Sequence, residues 1–400
     1  MYWVVGAVPT ITTLLTFMFG KIKIVRPDGP YGVGYEEFVL DTEGKTIIGW
    51  KFYPIDKEVY EQRKCNLEDS IPWYTPDVAG LRCLANLAKM PAFFFSEALV
   101  HRMEVVSEYP LHKDFMSGHQ KLTPVVMSHA ITGFRTRYST LALGMASYGW
   151  IVYAFDHTDQ TSMAFPDYSK DPAETVSYVE YNPKTHNITQ TEHFSNLLET
   201  RMSDIAYILK KMKSDAKKEN MNMDLSKTVA FGHSYGAITM IEAWKLFPND
   251  FSLCCVFDIF FMPRLKQVQE TKDYAIKQNM LILTSEKFFS TGKDGFMSFP
   301  FIYDKYDNKP VHDKFFKDLC EAHKTGNDYY YTLEGINHEN CSDAAIYMET
   351  AYRAAKFVQG GDKMHVFVDA TLAFMAEHDK LPAMCFKKVW DVVKGHLVEE

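Results

Sequence analysis

Four hundred residues, 46% of them hydrophobic, are enough for one large core, and an α/β domain of this size needs no division into two. The formal charge of −8, with no basic block beyond the helical cluster from Lys210 to Lys218, argues against a nucleic-acid partner. Seven scattered cysteines without a C-x-x-C pair, and no H-E-x-x-H cluster, argue against a disulfide framework or a metal site, so no metal and no cofactor is expected.

In chain order the first element is apolar. Met1 to Gly20 carries no charged side chain, and Lys21, Lys23 and Arg26 follow. That length can cross a bilayer, although Pro9 and four threonines dilute it, and the basic residues after it put the remainder on the cytoplasmic side. Residues 1–26 are therefore read as a hydrophobic N-terminal segment and membrane anchor, and 27–400 as a single domain, membrane-associated and cytoplasmic. The alternatives are a segment docked on the globule, or secretion, in which case Asn187-Ile188-Thr189 is a candidate glycan acceptor. Tyr2 excludes N-myristoylation, which needs glycine there.

Val33 to Leu40 and Thr46 to Tyr53 alternate like an antiparallel hairpin at the sheet's first edge. The long irregular stretch that follows holds Leu81, Leu84, Leu87 and Ala88 at helical spacing, with Phe93-Phe94-Phe95 beyond. Such residues either dip into a lipid interface or pack on the core. From Pro124 onward short apolar runs alternate with helical ones. The runs are Val125–Ser128, Trp150–Phe155, Thr228–Phe231, Ser252–Phe257, Met280–Thr284 and Tyr329–Leu333, and the clearest helix is His193–Lys213. The alternation predicts an α/β fold: a mostly parallel central sheet with helices on both faces and an antiparallel N-terminal edge hairpin. Functional residues then belong at the carboxyl ends of strands.

Gly232-His233-Ser234-Tyr235-Gly236 lies between a strand-like run and a helical one, the setting of a nucleophile elbow. A serine on that turn needs small neighbours, and the helix N-terminus behind it presents free N–H groups to developing negative charge. Ser234 is the candidate nucleophile. A serine hydroxyl requires a base and the base an acid, in the chain order Ser, acid, His. His338, after the last strand, is the candidate base. Two carboxylates end strands in the right interval, Asp258 and Glu286, and spacing alone leaves them open.

The elbow, the segment Ser128-His129-Ala130-Ile131-Thr132-Gly133-Phe134-Arg135-Thr136 and Asn337-His338-Glu339 together resemble the platelet-activating factor acetylhydrolases of the plasma and type II intracellular kind. The likeness runs from about Gly32 to beyond Ala373 and takes in Asp156-His157 and Ser285-Glu286. It implies an α/β-hydrolase that cleaves short or oxidised sn-2 acyl chains from phospholipids without calcium. By the resemblance the triad is Ser234, Asp258 and His338, and the backbone N–H groups of Ile131 and Tyr235 form the oxyanion hole. The implied partner is a phospholipid at a membrane or lipoprotein interface, with no obligate protein partner. The family's His-Gly-Leu-Gly loop is His129-Ala130-Ile131-Thr132 here, so two permissive positions carry side chains and Gly133 follows as a candidate to restore the turn. Phe260, Phe261 and Met262, next to the acid, are candidates for the acyl pocket or, equally, for core packing. Other readings are a serine carboxylesterase or lipase acting on other esters, and a lipid-binding protein on a hydrolase frame.

Overall fold

The computed structural model describes residues 27–42, 44–73, 78–88, 91–93, 95, 101–116, 118–168, 170, 174–182, 184–218, 221–264, 267, 279–286, 329–347, 363–379 and 387–397. The expected membrane anchor over 1–26 lies outside them. Among the described residues no helix is long and apolar enough to cross a membrane.

The N-terminal alternation folds as expected into a hairpin of β1 (Gly32–Thr42) and β2 (Lys45–Ile55), in register from Gly32 opposite Ile55 to Thr42 opposite Lys45. Two short strands, β3 (Ile71–Pro72) and β4 (Arg102–Met103), pair with each other, and β5 (Val106–Ser107) runs parallel to β1 on its outer side. The hairpin is thus one position inside the edge, with β5 capping it.

The regular part consists of β6 (Thr123–Ser128), β7 (Trp150–Phe155), the small hairpin β8 (Ala164–Asp167) and β9 (Glu174–Ser177), then β10 (Val229–His233), β11 (Leu253–Phe257), β12 (Met280–Ser285) and β13 (Tyr330–Leu333). The main sheet has nine strands in the order β13-β12-β11-β10-β6-β7-β2-β1-β5. Its strands from β13 to β7 are parallel, and β2 joins them antiparallel. Every residue of β6, β7, β10, β11 and β12 is buried. Helices on both faces of a parallel sheet leave no solvent side, which is why these strands read as continuous apolar runs rather than alternating ones.

The helix predicted over His193–Lys213 extends at both ends, to Gln190–Lys218, and buries Leu198, Ile205, Ile208, Leu209 and Met212. The helix Val78–Ala88 buries Leu81 and Leu84, and Phe95 beyond it is also buried while Phe93 is exposed. Core packing therefore holds for Leu81, Leu84 and Phe95 but not for Phe93; Phe94 and the side chains of Leu87 and Ala88 lie outside the described residues. The sheet order brings the carboxyl ends of β6, β10, β11 and β12 side by side, with the turn after β13 next to them.

Candidate active site

Strand β10 passes into the helix Tyr235–Leu246 through a single residue, Ser234, at φ 56° and ψ −116°. A side chain rarely adopts that backbone, and such positions cost roughly 1–3 kcal/mol. Two hydrogen bonds hold it: Ser234 N–H donates to Phe257 O at 2.9 Å, and Phe260 N–H donates to Ser234 O at 3.1 Å. The glycines of the motif are explained by contact. A Cβ on Gly232 would stand 2.2 Å from Gly236 O, and one on Gly236 would stand 2.1 Å from Ser128 O.

Asp258, directly after β11, also has a left-handed backbone, φ 43°. Its N–H donates to Leu283 O, and its carboxylate accepts from Ser285 N–H and Ser285 Oγ, each at 2.7 Å. The same Oδ2 faces His338 Nδ1 at 3.0 Å. His338 opens a short 3-10 helix, His338–Cys341, whose start is tied by reciprocal bonds between Asn337 and Asn340. Spacing had left Asp258 and Glu286 open, and the structure brings only Asp258 to the histidine. Glu286 is exposed and accepts the Gly335 N–H at 2.8 Å, bracing the turn before His338.

Ile131 and Tyr235 lie on the two segments next to Ser234. The Tyr235 N–H is in the first turn of its helix and has no intrahelical acceptor. The Ile131 N–H has no acceptor among the described residues. The turn after Ile131 is made differently from the expectation that Gly133 restores it. Thr132 itself takes the left-handed conformation, φ 57°, with its hydroxyl donating to Ile131 O at 2.6 Å and its N–H to Thr161 O at 2.8 Å. Gly133 is needed for another reason, because a Cβ there would meet Ala130 O at 2.8 Å. Phe260 packs edge-on against Phe194 and lies beside the Tyr235 ring, while Phe261 and Met262 are buried.

Sequence reasoning missed a second neighbour of His338 Nδ1, beside Asp258. His233 Nε2 is 3.4 Å from His338 Nδ1, and His233 Nδ1 is 2.8 Å from the Tyr138 hydroxyl, which also accepts the Ala130 N–H at 3.2 Å. Burial, and then the charge of His338, holds His233 well below the ordinary imidazole range, so it is neutral. Ligand atoms of His233, Asp258 and His338 lie within 4.8 Å of one another, a spacing a metal ion accepts, but these side chains already satisfy one another and Ser285 by hydrogen bonds.

The loop carrying His338 is clamped from the far side. Glu339 pairs with Arg137; burial works against its charge, but Arg137 and His338 hold its carboxyl below the usual range. Asp343 accepts from Trp73 Nε1 at 2.9 Å and from Thr140 N–H at 3.1 Å. Burial pushes Asp343 up to about 7 against these bonds. A carboxyl raised in the folded state binds its proton more readily there than when unfolded, so stability falls as pH rises from about 4 to about 7. Asp343→Asn keeps an acceptor for both donors. It is expected to flatten that fall, exceeding wild type by about 4 kcal/mol at pH 8 and matching it near pH 4, as read by thermal denaturation across that range.

Comparison with known proteins bears on the fold and the family. A solved ferulic acid esterase from Streptomyces cinnamoneus superposes with a TM-score of 0.58 at 14% identity, covering 91% of this chain and 95% of its own, a likeness of fold. The fold is that of the α/β-hydrolases. The platelet-activating factor acetylhydrolase of Cavia porcellus is 24% identical over 303 residues, 69% of this chain and 64% of its own length. That of Canis lupus familiaris is 22% identical over 284 residues, 66% of this chain and 61% of its own length. The chain thus spans less than two thirds of the length of these relatives. The family described as platelet-activating factor acetylhydrolase, isoform II, matches over residues 16–395, nearly the whole chain, and the protein belongs to that family.

Proposed function

We propose that the protein is a calcium-independent serine esterase of the phospholipase A2 type, hydrolysing short or oxidised sn-2 acyl chains such as the acetyl group of 1-alkyl-2-acetylglycerophosphocholine. The observation that carries the reading is the 3.0 Å contact of His338 Nδ1 with Asp258 Oδ2 beside a serine on a strained strand-to-helix turn. With Nδ1 occupied, Nε2 is the ring nitrogen left to take the serine proton. Ser234 Oγ attacks the sn-2 carbonyl, His338 accepts its proton and Asp258 stabilises the imidazolium. The tetrahedral oxyanion rests on the N–H groups of Tyr235 and Ile131. His338 then protonates the departing lysophospholipid alkoxide. Water repeats the cycle on the acyl-enzyme and releases acetate or a short carboxylic acid. Every charge that develops has a protein partner in this scheme, so calcium has no assigned role. The substrate is met at a membrane or lipoprotein surface.

The test is acyl release in chelator from 2-acetyl and long-chain phosphatidylcholine and from an aryl ester. Acetate release at least about 10²-fold faster than long-chain cleavage is expected, since a single methylene in a pocket is already worth about 10–200-fold. Cleavage of the aryl ester alone would favour a general carboxylesterase, and no cleavage of any would favour a lipid-binding protein on a hydrolase frame.

A further inference from the structure

The long helix Gln190–Lys218 carries an arginine on its buried stripe. Arg201 follows Leu198 by three residues and precedes Ile205 by four, and it is fully buried, as is the side chain of its ion-pair partner Asp159. A buried ion pair is weak evidence of a stabilising role, since desolvation can exceed the attraction between the charges. What the guanidinium touches is more specific than charge neutralisation.

Nε donates to Asp159 Oδ2 at 2.8 Å, and Nη2 donates to the Thr161 hydroxyl. Nη1 donates to His129 O at 2.8 Å, with Thr239 Oγ1 at 3.3 Å and Ser128 Oγ at 3.4 Å. The group lies over the Tyr235 ring, its Cζ 4.3 Å from the ring centroid. One side chain therefore reaches both segments that supply the oxyanion donors. On one side it holds His129 O, two residues before Ile131. It also holds Thr161, whose own carbonyl accepts the Thr132 N–H at 2.8 Å and so fixes the turn just after Ile131. On the other side it stacks on Tyr235, whose hydroxyl is fixed by Phe194 O at 2.7 Å, and reaches Thr239, whose hydroxyl donates to Tyr235 O at 2.7 Å.

The loop is further locked by its histidine. His129 Nδ1 donates to Ala130 O at 2.7 Å and Nε2 accepts the His157 N–H at 3.1 Å, which sets a neutral ring with the proton on Nδ1. Thr132 has the backbone of a left-handed residue without being glycine, so this loop needs an external hold. We propose that Arg201 is a positioning residue for the oxyanion hole, fixing the separation and aim of the Ile131 and Tyr235 N–H groups through His129, Thr161 and the Tyr235 ring. This rests on the serine-esterase reading and adds to it a residue that never touches substrate. Lysine cannot replace it, having neither the planar face for Tyr235 nor the fork that spans His129 O, Asp159 and Thr161.

The test uses the whole chain and rates per active site titrated with a fluorophosphonate, so that loss of folded enzyme does not count. A short-chain trifluoromethyl ketone reports on the hole: Ser234 Oγ adds to its carbonyl, the proton passes to His338, and the resulting alkoxide is held by the oxyanion donors. Arg201→Lys is expected to lower kcat by about 10–10²-fold, part of the 10²–10³ that loss of one donor costs, with KM within about twofold. Affinity for the ketone should fall by the same factor as kcat/KM. Thr161→Val removes only the hydroxyl that Arg201 and Asp159 share and is expected to lose about 3–10-fold in both readouts, with Thr161→Ser restoring them. That pair carries the test if Arg201→Lys does not fold. Active, folded variants whose kcat and ketone affinity both stay within twofold of wild type would overturn the positioning role alone. A wild type that neither turns over esters nor takes up fluorophosphonate would overturn the serine-esterase reading, and this role with it.

Discussion

Ser234→Ala is expected to lower ester hydrolysis by roughly 10⁴–10⁶ in kcat while leaving the fold in place. The residual rate would come from substrate binding and the oxyanion donors, which the substitution does not touch. The backbone at φ 56° is set by the Phe257 and Phe260 hydrogen bonds rather than by the hydroxyl, so alanine inherits the same turn and the same strain. Thermal midpoints should accordingly agree within a few degrees, and a small rise would fit an active site that trades stability for chemistry. Acetate release from the 2-acetyl phospholipid and covalent uptake of a fluorophosphonate are the two readouts. A variant that keeps a tenth of the wild-type rate, or is still labelled at the site, would place the nucleophile elsewhere.

Much of this architecture is legible in sequence because it depends on local pattern. Central parallel strands have no solvent face, so β6, β7, β10, β11 and β12 appear as uninterrupted apolar runs, and a small-x-Ser-x-small turn between strand and helix declares itself. The parts that were not legible depend on how neighbouring strand ends are turned. Asp258 and Glu286 end adjacent strands, and only the positive φ at Asp258, with Ser285 gripping its carboxylate, aims one of them at His338. The loop after Ile131 shows the same limit. Sequence marks Thr132 as an unusual occupant of a permissive position, but that it adopts the left-handed backbone itself is decided by Thr161 O, a contact across the chain. The β8–β9 hairpin pairs Ala164–Asp167 with Glu174–Ser177 in a polar stretch with no periodic signal. Arg201 leaves a trace in the sequence: a cation at i+3 from Leu198 and i−4 from Ile205 sits on the apolar stripe of its own helix, where a charge needs a built environment.

The choice between the two carboxylates gives the second large effect. Asp258→Asn is expected to lower kcat by about 10³–10⁴, with Glu286→Gln within about threefold of wild type. Asparagine is close to isosteric, and its oxygen can keep the Ser285 N–H, so the loop should survive. The amide nitrogen would then point at His338 Nδ1, where the carboxylate now accepts at 3.0 Å. A donor facing Nδ1 makes that atom the acceptor and moves the ring proton to Nε2, the nitrogen that must be free to take the serine proton. It also removes the negative charge that stabilises the imidazolium. The loss should therefore fall on kcat with little change in KM, because neither effect touches substrate in the ground state. Glu286 lacks that leverage, since its carboxylate is exposed and its bond is to Gly335 N–H, which a glutamine oxygen accepts as well. The reverse ranking, with Glu286→Gln the more damaging to kcat, would mean that the histidine turns away from Asp258 during turnover and that the 3.0 Å contact belongs to a resting arrangement only.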